Sequence, residues 1–352
     1  MSTQEYIKMS KNDYDKLMAL INQQPLDEII IFTGRSCKHL DKTISESLCK
    51  EMGKSILRTF GDGSIDVIIK ETIRDKHVFI IQTGASFNGM SINDYIIEAL
   101  EMMDACNRGG AKKISFIAPC CPYQRADKKD NSRVAIGAKV FLDMVNMYAS
   151  RFSAFDLHAS QIQGFIGKPV DNMYCINLFC AHLIEHVFMG KNPNDDYVLI
   201  SPDLGAEKKI LSYSKKLHMN YSVLSKQRNY DKVNSVDISH LTGSLENIIG
   251  KTGIIIDDIV DSFGTMEKGI EELIKHGIKN VIIVASHGIF SGNAINKINN
   301  CDYLLKIIVT NTIDQTENLK NCSKLEAVDV GVMLSEVIKR VVTGESLSVL
   351  FN

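Results

Sequence analysis

Short runs of β-branched and aromatic residues recur along the chain: Ile29–Phe32, Val78–Ile81, Ile114–Ile117, Arg151–Phe155, Val198–Ile200, Gly253–Ile256 and Val281–Val284. Apolar runs without alternation mark strands covered on both faces, the habit of parallel sheets. Between them lie stretches of helical period, Ile92–Cys106, Ala138–Tyr148, Glu207–Leu217 and Thr265–His276, commonly bounded by Gly, Asp or Ser. Strand and helix in alternation predict an α/β fold with mainly parallel sheets flanked by helices. The strand runs fall into two clusters, before about residue 160 and after about residue 197, so two α/β units are expected. With the boundary at the gap between clusters, the first unit covers 27–175 and the second 176–341. The polar segment 1–26 lacks strand character and is expected to be an added helix or arm, and 342–352 forms a tail.

Composition limits what such a fold can do. The 352 residues are 45% hydrophobic and 23% charged, which excludes disorder and fits two domains of roughly 100–200 residues each. Forty Lys and Arg against 42 Asp and Glu give a formal charge of −2, so no strong field draws DNA, RNA or anionic lipid. Nine cysteines, with Cys120 and Cys121 adjacent, suit a reducing compartment better than a disulfide framework. No apolar run reaches the ~18 residues of a membrane span, and charges interrupt the N-terminal stretch where a leader would be apolar. The expected location is therefore the cytosol.

The strongest local signal is GIIIDDIVDSFGT at 253–265. A buried strand empties into Asp257, Asp258 and Asp261, then into Ser262, Gly264 and Thr265 at a helix start. Carboxylates there can accept hydrogen bonds from vicinal ribose hydroxyls, while N–H groups at the helix N-terminus can cradle a 5-phosphate. The bland alternative, a carboxylate-rich helix cap, leaves three Asp after an apolar strand without a compensating ligand. A second loop, PCCPYQRADKKDNSR at 119–133, crowds Arg125, Lys128, Lys129 and Arg133 into a site for a polyanion of triphosphate type, or into a solvated basic loop. A third, FDLHASQIQGFIGKPVDN at 155–172, puts Asp156 and His158 at a strand end, where an imidazole can take a metal or a phosphate hydrogen bond. SPDLGAEKK at 201–209 repeats the strand-end pattern with Asp203, and SKQRN at 225–229 adds Lys226 and Arg228.

Together these five stretches resemble the ribose-phosphate pyrophosphokinases, the phosphoribosyl pyrophosphate synthetases, from about Ile29 to Phe351. Further matches are FGDGS at 60–64, SINDYIIEAL at 91–100, SHGIFSGNA at 286–294, TNTI at 310–313 and GESLSVLF at 344–351. The resemblance implies two phosphoribosyltransferase-like domains, the first on the ATP side and the second on the ribose 5-phosphate side. It implies transfer of the pyrophosphoryl group of ATP to the C1 hydroxyl of ribose 5-phosphate, giving 5-phosphoribosyl 1-pyrophosphate and AMP, with Mg²⁺ as cofactor. Carried over residue by residue, Phe60, Asp62, Arg125, Lys128, Asp130 and Arg133 face ATP. Asp257 and Asp258 grip the ribose hydroxyls, and Asp261, Ser262, Phe263, Gly264 and Thr265 hold the phosphate. His158 and Asp203 are the magnesium positions, and Lys226 and Arg228, with His158, are the catalytic ones.

The family is also a homohexamer built from dimers, in which the loop around Phe60 and Asp62 reaches a neighbour's adenine. Ser160, Gln163, Asp171, Asn172, Ser346, Ser348 and Phe351 match an allosteric site that takes phosphate and ADP. Two departures lie on the adenine side: Ala126 stands where a glutamine usually follows the arginine, and Ser64 where an acidic residue is usual. A non-catalytic regulatory subunit would have no physical need for Lys226, Arg228, His158 and the Asp pair. A phosphoribosyltransferase would leave DLHASQIQGF and QRADKKD unexplained. Gly53-Lys54-Ser55 mimics the end of a phosphate loop, but no strand precedes it. His182-Leu183-Ile184-Glu185-His186 fits H-x-x-E-H without an identifiable third ligand, and zinc is not assigned there.

Overall fold

The computed structural model describes residues 26–86, 88–203, 205–227, 238–242 and 248–351, with only the backbone of 225–227 and 238–242. The first cluster of strands comprises β1 (Ile29–Thr33), β2 (Ser55–Thr59), β3 (Ile65–Ile69), β4 (His77–Ile81), β5 (Lys113–Ala118), β6 (Arg151–Phe155) and β7 (Val170–Met173). Among the described residues β1, β4, β5, β6 and β7 form a five-stranded sheet in that order, parallel throughout, while β2 and β3 pair antiparallel as a separate ribbon. The second cluster comprises β8 (Tyr197–Ser201), β9 (Tyr221–Gln227), β10 (Ile238–Thr242), β11 (Thr252–Val260), β12 (Asn280–Gly288), β13 (Leu304–Thr310) and β14 (Leu325–Val328). It forms a seven-stranded sheet in the order β10-β9-β8-β11-β12-β13-β14, with only β9 and β10 antiparallel. The α/β expectation holds, and the extension at 1–26 lies, except for Leu26, outside the described residues.

The helices that matter below are α1 (Asp41–Leu48), α2 (Ile92–Arg108), α3 (Gly137–Asn146), α4 (Ile176–His182), α5 (Glu207–Leu217), α6 (Gly264–Lys275) and α7 (Gly331–Thr343). Helix α2 starts where it does because Ser91 and Asp94 form a reciprocal capping box, each side chain taking the other's backbone N–H. Two apolar cores belong to one sheet each, one built around Phe116, Phe141 and Phe152 and the other around Val198, Ile255 and Ile283. A third is shared: Ile29, Ile31, Leu40 and Ile44 join Leu199, Ile254, Val330, Leu334 and Val337. Helix α7, counted with the second unit by sequence, thus packs on α1 of the first. The approach is close enough that a Cβ on Gly331 would fall 2.6 Å from Thr43.

Polar bonds also lock the C-terminal ends of the two sheets together. Thr83 donates to the Thr312 carbonyl at 2.7 Å and itself accepts from Cys120 N–H at 2.9 Å. His287 on β12 is fully buried; its Nε2 donates to the Phe155 carbonyl at 3.0 Å and its Nδ1 accepts from Thr312 at 2.9 Å. Burial holds this imidazole below its ordinary pKa, as a neutral bridge requires. Both parallel sheets therefore present their carboxyl-end loops to one cleft, the usual place for a site in α/β folds.

Candidate active site

Strand β11 carries its apolar residues into the core and then delivers two carboxylates with opposite environments. Burial, reinforced by the hydrogen bond and charge of Asp258, pushes the Asp257 carboxyl well above its ordinary pKa. Burial would raise Asp258 too, but hydrogen bonds from His158 and Asp257 outweigh it and hold that carboxyl well below the ordinary range. Asp258 N–H donates to Asp257 Oδ1 at 2.8 Å, and His158 Nδ1 donates to Asp258 Oδ2 at 2.6 Å. That bond raises the pKa of the imidazole and turns its Nε2, which has no partner among the described residues, away from the pair.

After β11 the chain passes Asp261 and Ser262 and turns at Phe263, a buried residue at φ 66°, into α6. Among the described residues no side chain caps this helix, which leaves N–H groups of its first turn available to an anion. Thr265 is exposed at the same end. Asp203, Asp257, Thr265, Ile200, Pro202 and Met266 line a cavity of about 380 Å³ between β8, β11 and α6. That volume suits a small phosphorylated ligand.

The basic loop meets this region from the first sheet. Arg125 Nη1 lies 2.9 Å from Asp261 Oδ2, joining residues 136 apart in sequence, and Ser291 holds the other Asp261 oxygen. Lys128, Asp130 and Arg133 are exposed on that loop, Lys128 and Asp130 as a loose pair at 3.9 Å. Within DLHAS, Asp156 sits in the left-handed region at φ 36°, a backbone cost of about 1 kcal/mol or more for a non-glycine residue. Its carboxylate accepts from Cys175 N–H at 3.0 Å and from the Ser286 hydroxyl.

Comparison with known proteins decides the family. A family model for the N-terminal domain of ribose phosphate pyrophosphokinase matches residues 29–148, and one for the phosphoribosyl synthetase-associated domain matches residues 240–352. The crystal structure of phosphoribosylpyrophosphate synthetase from Mycobacterium smegmatis is similar at 31% identity and a TM-score of 0.80, covering 90% of this chain and 99% of that one. The chain belongs to the ribose-phosphate pyrophosphokinase family. A purine phosphoribosyltransferase from Pyrococcus horikoshii shares 20% identity over 38% of this chain and 78% of its own, with a TM-score of only 0.26, and adds nothing to that assignment.

Of the positions carried over from the ribose-phosphate pyrophosphokinases, Arg125, His158, Asp258 and Asp261 are in contact across the cleft, and Asp203, Asp257 and Thr265 share its cavity. Phe60 and Asp62 are elsewhere, exposed at the tip of the β2–β3 ribbon, where Asp62 Oδ1 accepts from Ser64 N–H and Oγ at 3.0 and 2.7 Å. Lys226 lies on β9 with its side chain outside the described residues, and Arg228 is wholly outside them. The carried-over effector positions gather partly. Phe351 packs edge-on against Tyr174 at 5.9 Å, two residues from Asn172, and Ser346 and Ser348 share a hydrogen bond of 2.8 Å. Asp171 is clamped by Arg151 at 2.6 and 2.7 Å, while Ser160 and Gln163 are joined through Gln163 Nε2 and the Ser160 carbonyl at 3.0 Å.

Sequence reasoning missed Gln124, Ser286, His287 and Lys209. Lys209, half-buried in the first turn of α5, lowers the carboxyls of both Asp257 and Asp258 by its charge. The SPDLGAEKK stretch contained it, and only its place facing the Asp pair distinguishes it from Lys208. His182 of the H-x-x-E-H stretch bonds Glu326 at 2.8 Å, and no group of three His, Cys, Asp or Glu able to hold a metal occurs among the described residues.

Proposed function

We infer that the protein makes 5-phosphoribosyl 1-pyrophosphate and AMP from ATP and ribose 5-phosphate. The observation that carries this reading is the direct junction of the basic loop with the Asp-rich loop, Arg125 to Asp261 at 2.9 Å and His158 to Asp258 at 2.6 Å. Attack of the C1 hydroxyl on the β-phosphorus breaks the bond to the α,β-bridging oxygen, which leaves with AMP, and the attacking hydroxyl loses its proton. The two substrates must therefore be held end to end, and the junction of the two loops supports such an arrangement. Asp257 would accept from the ribose hydroxyls, the first turn of α6 would take the 5-phosphate, and Arg125 and Lys128 would pair with the triphosphate. Lys226 and Arg228 would offset charge on the transferring group.

Magnesium is commonly held by one or two carboxylates and draws its remaining ligands from phosphate and water; Asp203 supplies such a carboxylate, so no cluster of three is needed, while the His158 position rests on the resemblance. His158 through Nε2 and Asp203 through its carboxylate would hold it, and when bound it would offset phosphate charge during transfer. We further read the protein as a cytosolic homohexamer built from dimers, with Phe60 and Asp62 reaching a neighbouring subunit and phosphate and ADP as effectors. No helix among the described residues is long and apolar enough to cross a membrane. The test of the activity is direct: purified protein with ATP, Mg²⁺ and ribose 5-phosphate should release AMP in step with 5-phosphoribosyl 1-pyrophosphate. No AMP above a control lacking ribose 5-phosphate overturns the reading.

A further inference from the structure

We propose that Gln124 is a positioning residue that ties His158 to the loop bearing Arg125, so that imidazole and guanidinium keep a fixed spacing across the cleft; this rests on the magnesium and triphosphate roles inferred above. The need arises at Asp156, where the left-handed turn ends strand pairing and leaves three successive N–H groups to be satisfied. Asp156 N–H donates to the Met173 carbonyl at 2.8 Å, Leu157 N–H to Asn172 Oδ1 at 3.0 Å, and His158 N–H to Gln124 Oε1 at 2.9 Å.

Gln124 is 3% exposed, although its neighbours Tyr123 and Arg125 are exposed and the loop from Lys128 to Arg133 is solvated. A buried primary amide is costly unless both ends are used, and here both are. Its Oε1 accepts from His158 while its Nε2 donates to Cys120 Sγ at 3.6 Å. Cys120 is held in turn through Thr83 to Thr312, at the polar lock between the sheets. A second buried side chain of the loop, Asp127, accepts from Gln161 Nε2 at 2.8 Å, so the loop grips the DLHASQ turn twice. The next residue after Gln124 is Arg125, whose guanidinium lies on Asp261. The resemblance leads one to expect a glutamine after that arginine; here Ala126 stands there, and the glutamine stands before it, turned inward.

The test compares Gln124→Met, which removes the acceptor at similar volume, with Gln124→Glu, which keeps one. Binding of Mn²⁺ in the presence of α,β-methylene ATP is followed by electron paramagnetic resonance, alongside kcat and the KM for ribose 5-phosphate. The Met variant is expected to lose about ten-fold in Mn²⁺ affinity and in kcat, with the ribose 5-phosphate KM within two-fold of wild type. The Glu variant should recover at least half of each loss on a logarithmic scale. Unchanged Mn²⁺ affinity in the Met variant overturns the proposal, as does a joint loss in both variants, with Mn²⁺ affinity and melting temperature falling and the ribose 5-phosphate KM rising together. Should the Met variant not fold, amide hydrogen exchange in the wild type still decides, since an unprotected His158 N–H sinks the tie. A wild type that binds Mn²⁺ with the analogue yet forms no AMP overturns the activity and leaves this tie to be judged by the Mn²⁺ affinities of the two variants and by amide hydrogen exchange at His158.

Discussion

Asp257 and Asp258 are neighbours in the chain held in different protonation environments, so the same substitution should act differently on each. Asp257, driven towards its neutral form by burial, is mimicked by an amide; Asp257→Asn should change the urea unfolding free energy by less than about 1 kcal/mol while raising the KM for ribose 5-phosphate. Asp258→Asn replaces a charge-assisted bond to His158 and should cost about 1–3 kcal/mol in the same measurement. Equal stability losses would show that the two carboxyls share their proton evenly. The Asp pair was legible in sequence because carboxylates directly after an apolar run are anomalous. Gln124 and His287 were not, because their partners lie 34 and 132 residues away and neither residue type is unusual where it stands.

At the scale of elements, the buried strands β1, β4, β5, β8, β11 and β12 were legible as unbroken apolar runs. The ribbon β2–β3 was not, because β2 is largely exposed, β3 is only half-buried, and the strands carry Arg58 and Asp66, paired at 2.6 Å. Its tip uses Ser64 to occupy Asp62 and offers no second carboxylate to a base. Weaker discrimination between ATP and GTP is therefore expected, and Ser64→Glu should sharpen it about ten-fold, or roughly 1.4 kcal/mol, in the ratio of kcat/KM values. An already strict ATP preference would mean that other groups read the base. Strand β4 carries a different liability in His77, which bonds Ser115 at 2.8 Å and stacks on Phe79. Burial, with Lys113 and Arg151 nearby, lowers its pKa to about 4. Unfolded, the ring takes its proton near pH 6.5, so between pH 6.5 and 4 the unfolded chain binds more protons and stability falls as pH falls. Allowing for the ring's partial exposure, that loss is about 2 kcal/mol. Urea midpoints of His77→Gln should decline correspondingly less than wild type over this window; parallel declines would remove His77 from the account.

At the scale of the whole molecule, the tail is held by Asn177 Nδ2 on the Leu350 carbonyl at 2.8 Å and by Arg340 on the Ser346 carbonyl at 2.9 Å. Removing residues 344–352 should blunt activation by phosphate and weaken assembly while leaving ribose 5-phosphate binding intact. Light scattering and activity across a phosphate series check this; an undiminished response would separate the tail from effector control. The packing of α7 on α1 has a consequence for biosynthesis. Ile29, Leu40 and Ile44 leave the ribosome long before Val330, Leu334 and Val337, which complete their covering. Until α7 is made the nascent chain must carry that apolar face bare, a natural landing place for a chaperone that the helix then displaces.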